Sequence, residues 1–186
     1  DVKRILDVYR VNGRFGATVE PMVIQLPQNR ADLVFEIDEG PLTEVSSIRF
    51  IGNKVFDDDD LRDVIQTREK AWYNFLTSND TYDSDRMTFD RELLRRFYLA
   101  EGYADFRVDA ANAEMTPDRS AFFITFKVTE GRQYKFAKPN INIGLRDLKV
   151  SQLSPLLGFK AGDVYDNRLV EKSVREINNK IGKLGF

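Results

Sequence analysis

Apolar positions in this chain switch repeatedly between a helical and an alternating period. Val2, Ile5, Leu6 and Tyr9 share the spacing of one helix face, and Asn12-Gly13 supplies a stop with a glycine for the left-handed cap. Ala17, Val19 and Val23 then alternate with Thr18 and Glu20, Leu26-Pro27-Gln28-Asn29-Arg30 reads as a hairpin turn, and Ala31, Leu33, Phe35 and Ile37 form the inward set of a second strand. A strand is predicted over Val45 to Ile51, stopped by Gly52-Asn53, and a short helix opens at Asp57–Asp60 and runs to about Gln66. An irregular stretch carries Trp72, Tyr73, Phe75 and Leu76. Asp83-Ser84 opens a long helix whose apolar face is Met87, Leu93, Leu94, Phe97 and Tyr98, ended by Gly102. A strand over Asp105 to Met115 shows Phe106, Val108 and Ala110 on one face, Thr116-Pro117-Asp118-Arg119 turns the chain, and Phe122, Ile124, Phe126 and Val128 face inward on the next strand. Beyond Gly131 the pattern starts again, with a strand inside Gln133 to Ile143, a short helix over Val150 to Leu157 and a long helix from Asn167 to Lys183.

Order and spacing recur together. Ile5-Leu6-x-x-Tyr9 before Gly13 returns as Leu93-Leu94-x-x-Phe97-Tyr98 before Gly102, and again as Val174-x-x-Ile177-x-x-x-Ile181 before Gly185-Phe186. Phe35-Glu36-Ile37-Asp38-Glu39-Gly40 returns as Phe126-Lys127-Val128-Thr129-Glu130-Gly131. A fixed period of this kind marks an array of similar units rather than a single active site. One β-α-α-β-β unit is complete, and incomplete ones flank it. The expected divisions are residues 1–40, 41–131 and 132–186, with Glu39, Gly40, Glu130 and Gly131 at the junctions. A glycine there permits the turn into the next unit.

Composition narrows the chemistry. The 186 residues carry a formal net charge of −2, without the basic stripe of a nucleic-acid binder. No apolar run is long enough for a membrane-spanning helix. Cysteine and histidine are both absent, which removes disulfides, thiolate sites, Ser-His-Asp and Cys-His catalysis and nearly all zinc sites. No glycine-rich phosphate loop is present. An enzyme built on an α+β sandwich is therefore a remote rival, and no catalytic residue, cofactor or metal is expected.

Individual features favour plain readings. Calcium loops alternate acidic ligands with spacers, whereas Asp57-Asp58-Asp59-Asp60 is consecutive and fits a helix start. Asp80, Asp83, Asp85 and Asp90 could supply an acid/base pair, but nothing isolates two of them in an apolar pocket; a capped helix entrance with exposed side chains is expected. Tyr98 and Tyr103 read as a helix face and a plug behind the cap. Trp72, Tyr73 and Phe75 divide between an exposed partner anchor and a self-packed loop.

Ile48-Arg49-Phe50-Ile51-Gly52-Asn53, Phe97-Tyr98-x-x-x-Gly102-Tyr103-Ala104, Thr116-Pro117-Asp118, Val128-Thr129-Glu130-Gly131 and Gln133-Tyr134 together resemble the polypeptide-transport-associated (POTRA) domain family, over the whole chain. Within it the likeness is greatest to outer-membrane protein assembly factors. The resemblance implies an α+β fold of tandem modules, each a three-stranded mixed sheet with two helices on one face. It implies the end of a second domain, a complete third and the start of a fourth. It places the chain at the periplasmic face of a Gram-negative outer membrane, attached to a membrane barrel beyond this sequence. The implied partners are unfolded outer-membrane β-barrel proteins and accessory lipoproteins, with no nucleic acid. A related translocation or two-partner secretion array, or a passive spacer, is the alternative.

In that fold the first strand of the closing hairpin lies at a sheet edge. In the complete unit this strand contains Arg107, Val108, Asp109, Ala110, Ala111, Asn112 and Ala113, without proline and with small residues that allow close backbone approach. The equivalent strand of the first unit is interrupted by Pro21, which suits an edge but weakens docking. An edge presents backbone groups to which a client strand can add. At about 0.5–1.5 kcal/mol net per hydrogen bond, five bonds give roughly 2.5–7.5 kcal/mol. Association and ordering cost several kcal/mol, so weak, exchangeable binding is expected.

Overall fold

The computed structural model describes residues 1–71, 80–144 and 148–184. The first elements are helix α1 (Val2–Val11) and the hairpin β1 (Thr18–Leu26) and β2 (Arg30–Asp38). Asn12 caps α1, and Gly13 follows at φ 77°. Pro27, Gln28 and Asn29 form a three-residue hairpin loop, in which Gln28 and Asn29 both take positive φ. The antiparallel register pairs Val19 with Ile37, Pro21 with Phe35 and Val23 with Leu33. These residues share one face as their alternation predicts, but the expectation that the whole set is buried fails. Val23 is 66% and Leu33 57% exposed. Among the described residues this two-stranded sheet has one ten-residue helix against it, too little to cover the whole face.

The central sheet holds β3 (Glu44–Ile51), β4 (Arg107–Met115) and β5 (Ala121–Thr129) in the order β3-β5-β4. It is a mixed sheet, with β3 and β5 parallel. Phe122, Ile124, Phe126 and Val128 are buried, while Phe123 and Lys127 between them are exposed, so one face is covered and the other open. Val45 and Ile48 are three apart and should point to opposite faces, yet both are buried. A register shift between Val45 and Ser47 re-phases the strand and turns both inward. Burying each such side chain is worth about 1.5–3 kcal/mol.

Between β3 and β4 the chain forms the helices α2 (Asp58–Val64) and α3 (Ser84–Ala100). The Asp57 carboxylate accepts from the Asp60 N–H, and the Asp60 side chain from the Asp57 N–H, so the acidic run is a helix start. The Asp83 carboxylate accepts from the N–H groups of Asp85 and Arg86 at the start of α3. Leu61 in α2 and Leu94 and Tyr98 in α3 are fully buried, as is Ile65 just beyond α2. Asp118 in the β4–β5 turn accepts from the Thr116 and Ser120 hydroxyls, which hold its carboxyl below the usual range.

Beyond Gly131 lie α4 (Val150–Leu153), a 3-10 turn (Ser154–Leu156) and α5 (Asn167–Lys183). The strand expected inside Gln133 to Ile143 does not form: the stretch makes one isolated bridge, Lys135 to Val164. Pro139 lacks a donor, and among the described residues no strand lies beside this stretch to complete a ladder. By internal packing the chain divides into two compact units, Asp1–Glu92 with Val108–Val128, and Leu93–Arg107 with Thr129–Phe186. Among the described residues no helix is long and apolar enough to cross a membrane.

Gly52 has φ 100°, and an added Cβ would lie 2.2 Å from the Val128 carbonyl oxygen. Gly52→Ala should therefore destabilise the chain by more than about 1 kcal/mol in chemical denaturation. A variant as stable as the parent would show that β3 and β5 separate at this end at no cost.

Candidate functional site

The two margins of the central sheet are chemically different. β4 lies at one end of the strand order, and among the described residues β5 is its only neighbouring strand. It holds the sequence-predicted docking residues Arg107 to Ala113. Arg107 and Asp109 are already engaged by other groups, which leaves Ala110 to Met115 as the plainest stretch of margin. Ala110, Ala111 and Ala113 are half-buried, Asn112 and Glu114 exposed, and no side chain at the three alanines extends past a methyl.

The margin of β3 is occupied. The Ile48 N–H donates to Glu69 Oε1 at 2.7 Å, and Arg62 Nε donates to the Ile48 carbonyl at 3.2 Å. The Phe50 N–H reaches Asp58 Oδ2 at 3.5 Å. Val45 donates to the Asp80 carbonyl at 2.6 Å and accepts from the Lys70 N–H at 2.8 Å. Arg62 joins these groups, with its guanidinium 3.4 Å from Glu69 and 3.6 Å from Asp58. Sequence reading missed Arg62 and Glu69. Glu69 lies beyond α2 with no periodic signal, so only the fold brings it to β3.

The junction residues belong to a bonded arrangement that occurs twice. The Gly13 carbonyl accepts from Thr43 N–H at 2.8 Å, and the Gly102 carbonyl accepts from Tyr134 N–H at 2.8 Å. Thr43 O then accepts from Tyr82 N–H, and Tyr134 O from Tyr165 N–H. Val45 N–H donates to Asp80 O just as Phe136 N–H donates to Asp163 O. The bridges Glu44 to Thr81 and Lys135 to Val164 complete the correspondence. So the end of one long helix, the start of the next strand segment and the approach to the next long helix meet in one set of hydrogen bonds.

A tyrosine–glutamate contact closes each arrangement. Tyr9 Oη donates to Glu39 Oε1 at 3.3 Å on the surface, and Tyr98 Oη donates to Glu130 Oε1 at 2.9 Å in the interior. Burial first, then the bond to Glu130, pushes the Tyr98 hydroxyl well above the usual tyrosine range. Tyr98 stacks on Phe106 with ring centroids 3.9 Å apart, and Tyr103 is buried beside it. Gly40 and Gly131 both take positive φ, and a Cβ on Gly131 would meet Asp105 Cβ at 2.8 Å. Asp105 in turn accepts from Tyr134 Oη at 2.6 Å, and Arg132 sits over the Tyr134 ring.

Asp90 departs from the expected exposed carboxylate. It is fully buried and accepts from the backbone N–H groups of Gln66 at 2.6 Å and Thr67 at 3.2 Å and from the Thr67 hydroxyl. It ties α3 to the chain leaving α2, and all of these partners are donors, so the arrangement is structural. Ser173, 83 positions on, plays the same part: its Oγ accepts from Gly158 N–H at 2.9 Å and donates to Leu169 O at 2.7 Å. Among the described residues no three or more acidic side chains converge to hold a metal. Trp72 and Tyr73, the possible partner anchor, lie outside the described residues.

The profile of the POTRA family, described as "Surface antigen variable number repeat", matches residues 43–131 and 134–186. The chain is 27% identical over its full length to an outer membrane protein assembly factor BamA of Neisseria meningitidis serogroup B, and 25% identical over 99% of its length to the BamA of Buchnera aphidicola. It spans 23% and 30% of the lengths of those two proteins. Among solved structures it is similar to the Haemophilus influenzae BamA POTRA3-5 crystal structure, with a TM-score of 0.53 at 20% identity, covering 96% of this chain and 67% of that one.

A phenol whose folded-state pKa exceeds its unfolded value contributes its full stability at low pH, and loses it as pH rises past the ordinary tyrosine value of 10.0. The parent should therefore lose stability above about pH 10, and Tyr98→Phe should flatten that loss. Near neutrality the same variant removes the hydrogen bond from Tyr98 to the buried Glu130, at a cost of about 1–3 kcal/mol. Thermal melts of both proteins across this pH range check both signs.

Proposed function

The chain belongs to the POTRA family, and from that premise we propose that it is part of the periplasmic portion of an outer-membrane protein assembly factor. In this reading residues 1–40, 41–131 and 132–186 are parts of three successive POTRA domains, and β4 of the middle one takes up unfolded outer-membrane β-barrel proteins by strand addition. The observation that carries the reading is the contrast between the margins. β3 has its outward backbone groups met by Glu69, Arg62, Asp58, Asp80 and Lys70, whereas β4 ends the sheet on a run of small side chains. Main-chain pairing is indifferent to most side chains, which suits a receptor for many clients.

The proposed role is binding and positioning rather than catalysis. Accessory lipoproteins of the assembly machinery are the second proposed class of partner. The twice-built joint supports a further contribution, because hydrogen bonds from each helix end to the next unit suit an array that sets a distance. Spacing and strand docking are separable by experiment.

Titration of the isotope-labelled full chain with a ten-residue peptide alternating Thr and Val, with Lys at each end, should shift amides within Arg107–Met115. Saturation is expected at a Kd of about 0.1–1 mM, the net of a few backbone bonds and the cost of ordering. Ala111→Pro removes a donor from the strand and should weaken binding at least about tenfold while the buried Phe126 and Ile124 signals stay in place. Equal binding by a folded Ala111→Pro protein would leave the array with a spacing role alone.

A further inference from the structure

We propose that Arg62, Glu69 and Asp58 form a plug that closes the β3 margin and so confines strand addition to β4. The proposal deepens the strand-docking reading and rests on it for the part played by β4. The argument begins with Ile48, whose N–H and C=O both point away from the sheet. An antiparallel neighbour would meet that pair with one acceptor and one donor from a single residue. Here Glu69 supplies the acceptor at 2.7 Å and Arg62 the donor at 3.2 Å. The two side chains are themselves paired at 3.4 Å, so they imitate one residue of an added strand. Two positions on, Asp58 offers an acceptor to Phe50, and Asn53 Nδ2 fixes Asp58 through its other oxygen at 2.8 Å.

A margin left open at this place would be hazardous. Ile51 at the end of β3 is 54% exposed, Val55 just beyond is 52% exposed, and Phe123 on the open face of β5 is 44% exposed. An apolar margin with unmet backbone groups invites uncontrolled pairing between chains. Charged side chains folded over it prevent that without proline and without shortening the strand. All three plug residues keep about a third of their side-chain surface in water, so they cover the margin without being locked in the core.

The test compares the full chain with Glu69→Ala, the Arg62→Ala/Glu69→Ala double variant and Glu69→Gln, whose amide oxygen still accepts a hydrogen bond. In Glu69→Ala the Ile48 amide should exchange with solvent about tenfold faster. The Thr/Val peptide used above should then shift amides of Glu44–Ile51, which are silent in the parent, or the variant should self-associate in sedimentation. Glu69→Gln should behave as the parent. A folded double variant with unchanged Ile48 exchange, no new β3 shifts and no self-association overturns the proposal. The parent's β4 response reports separately on strand docking: if the peptide binds nowhere, docking fails, while exchange at Ile48 still decides the plug. Should the alanine variants not fold, exchange in the parent decides. Ile48 must then be protected at least about tenfold more than the fastest amides of Ala110–Ala113. Equal protection overturns the plug.

Discussion

A three-stranded sheet has two margins, and most of what distinguishes this molecule follows from how the backbone groups on each are met. A buried or half-buried amide without a partner costs about as much as a lost hydrogen bond, so a margin must face water, side chains or another strand. β3 is met by side chains and by two loop backbones, and α2 is placed to provide them. Its acidic start puts Asp58 near Phe50, and Arg62 one turn later reaches Ile48. The capping run Asp57–Asp60 thus serves twice: it begins the helix, and one of its members caps a strand. β4 ends the strand order, and its alanines carry nothing larger than a methyl.

The joints apply the same requirement along the chain. A helix ending in a left-handed glycine leaves carbonyls that need donors. Here the donor is an N–H further along the chain, Thr43 for Gly13 and Tyr134 for Gly102. Because helix termination and the anchoring of the segment that follows use the same bond, neither can change alone. A side chain at Gly102 would meet Val164 Cγ1 at 2.7 Å and Gln133 Cγ at 3.0 Å as well as forcing φ 92° on a residue with a Cβ. The two Tyr–Glu contacts differ in burial and in length: the one at Glu39 is exposed and longer, the one at Glu130 enclosed and shorter. A shared geometry with unequal shielding makes the second contact the stronger tie, since water competes less for an interior hydrogen bond.

The fold was largely legible because its periods are strong. Inward residues of β5, the span of α5 and the caps at Asp57 and Asp83 follow from alternation, helical spacing and short-range hydrogen bonding, which are local rules. The failures have non-local causes. The segment after Gly131 has strand-like composition, but a strand exists only where a neighbour completes its ladder. Val23 and Leu33 carry the right alternation, but burial needs more cover than the described residues give this hairpin. Asp90 looks like any polar residue of a helix until the chain after α2 folds back and sets three donors around it. The place of β4 at the end of the sheet followed from the family's strand order, whereas Glu69 and Arg62 are ordinary surface residues in sequence and acquire meaning only from what lies 2.7 and 3.2 Å away.

An asymmetry between margins is what a receptor for unfolded strands requires physically. With both margins open, one client could bridge two copies, or two copies could pair directly, and either would remove the binding surface by mass action. With both closed there would be no binding. On the proposed reading, one margin met internally and one available for pairing would give a single strand-sized site per sheet, whose weak backbone affinity would allow release. The internal cover must also be cheaper to hold than a client strand. Arg62, Glu69 and Asp58 satisfy this because they are already fixed by α2 and the chain leaving it. They lose little further entropy on covering β3, whereas a free peptide must be ordered along its whole length.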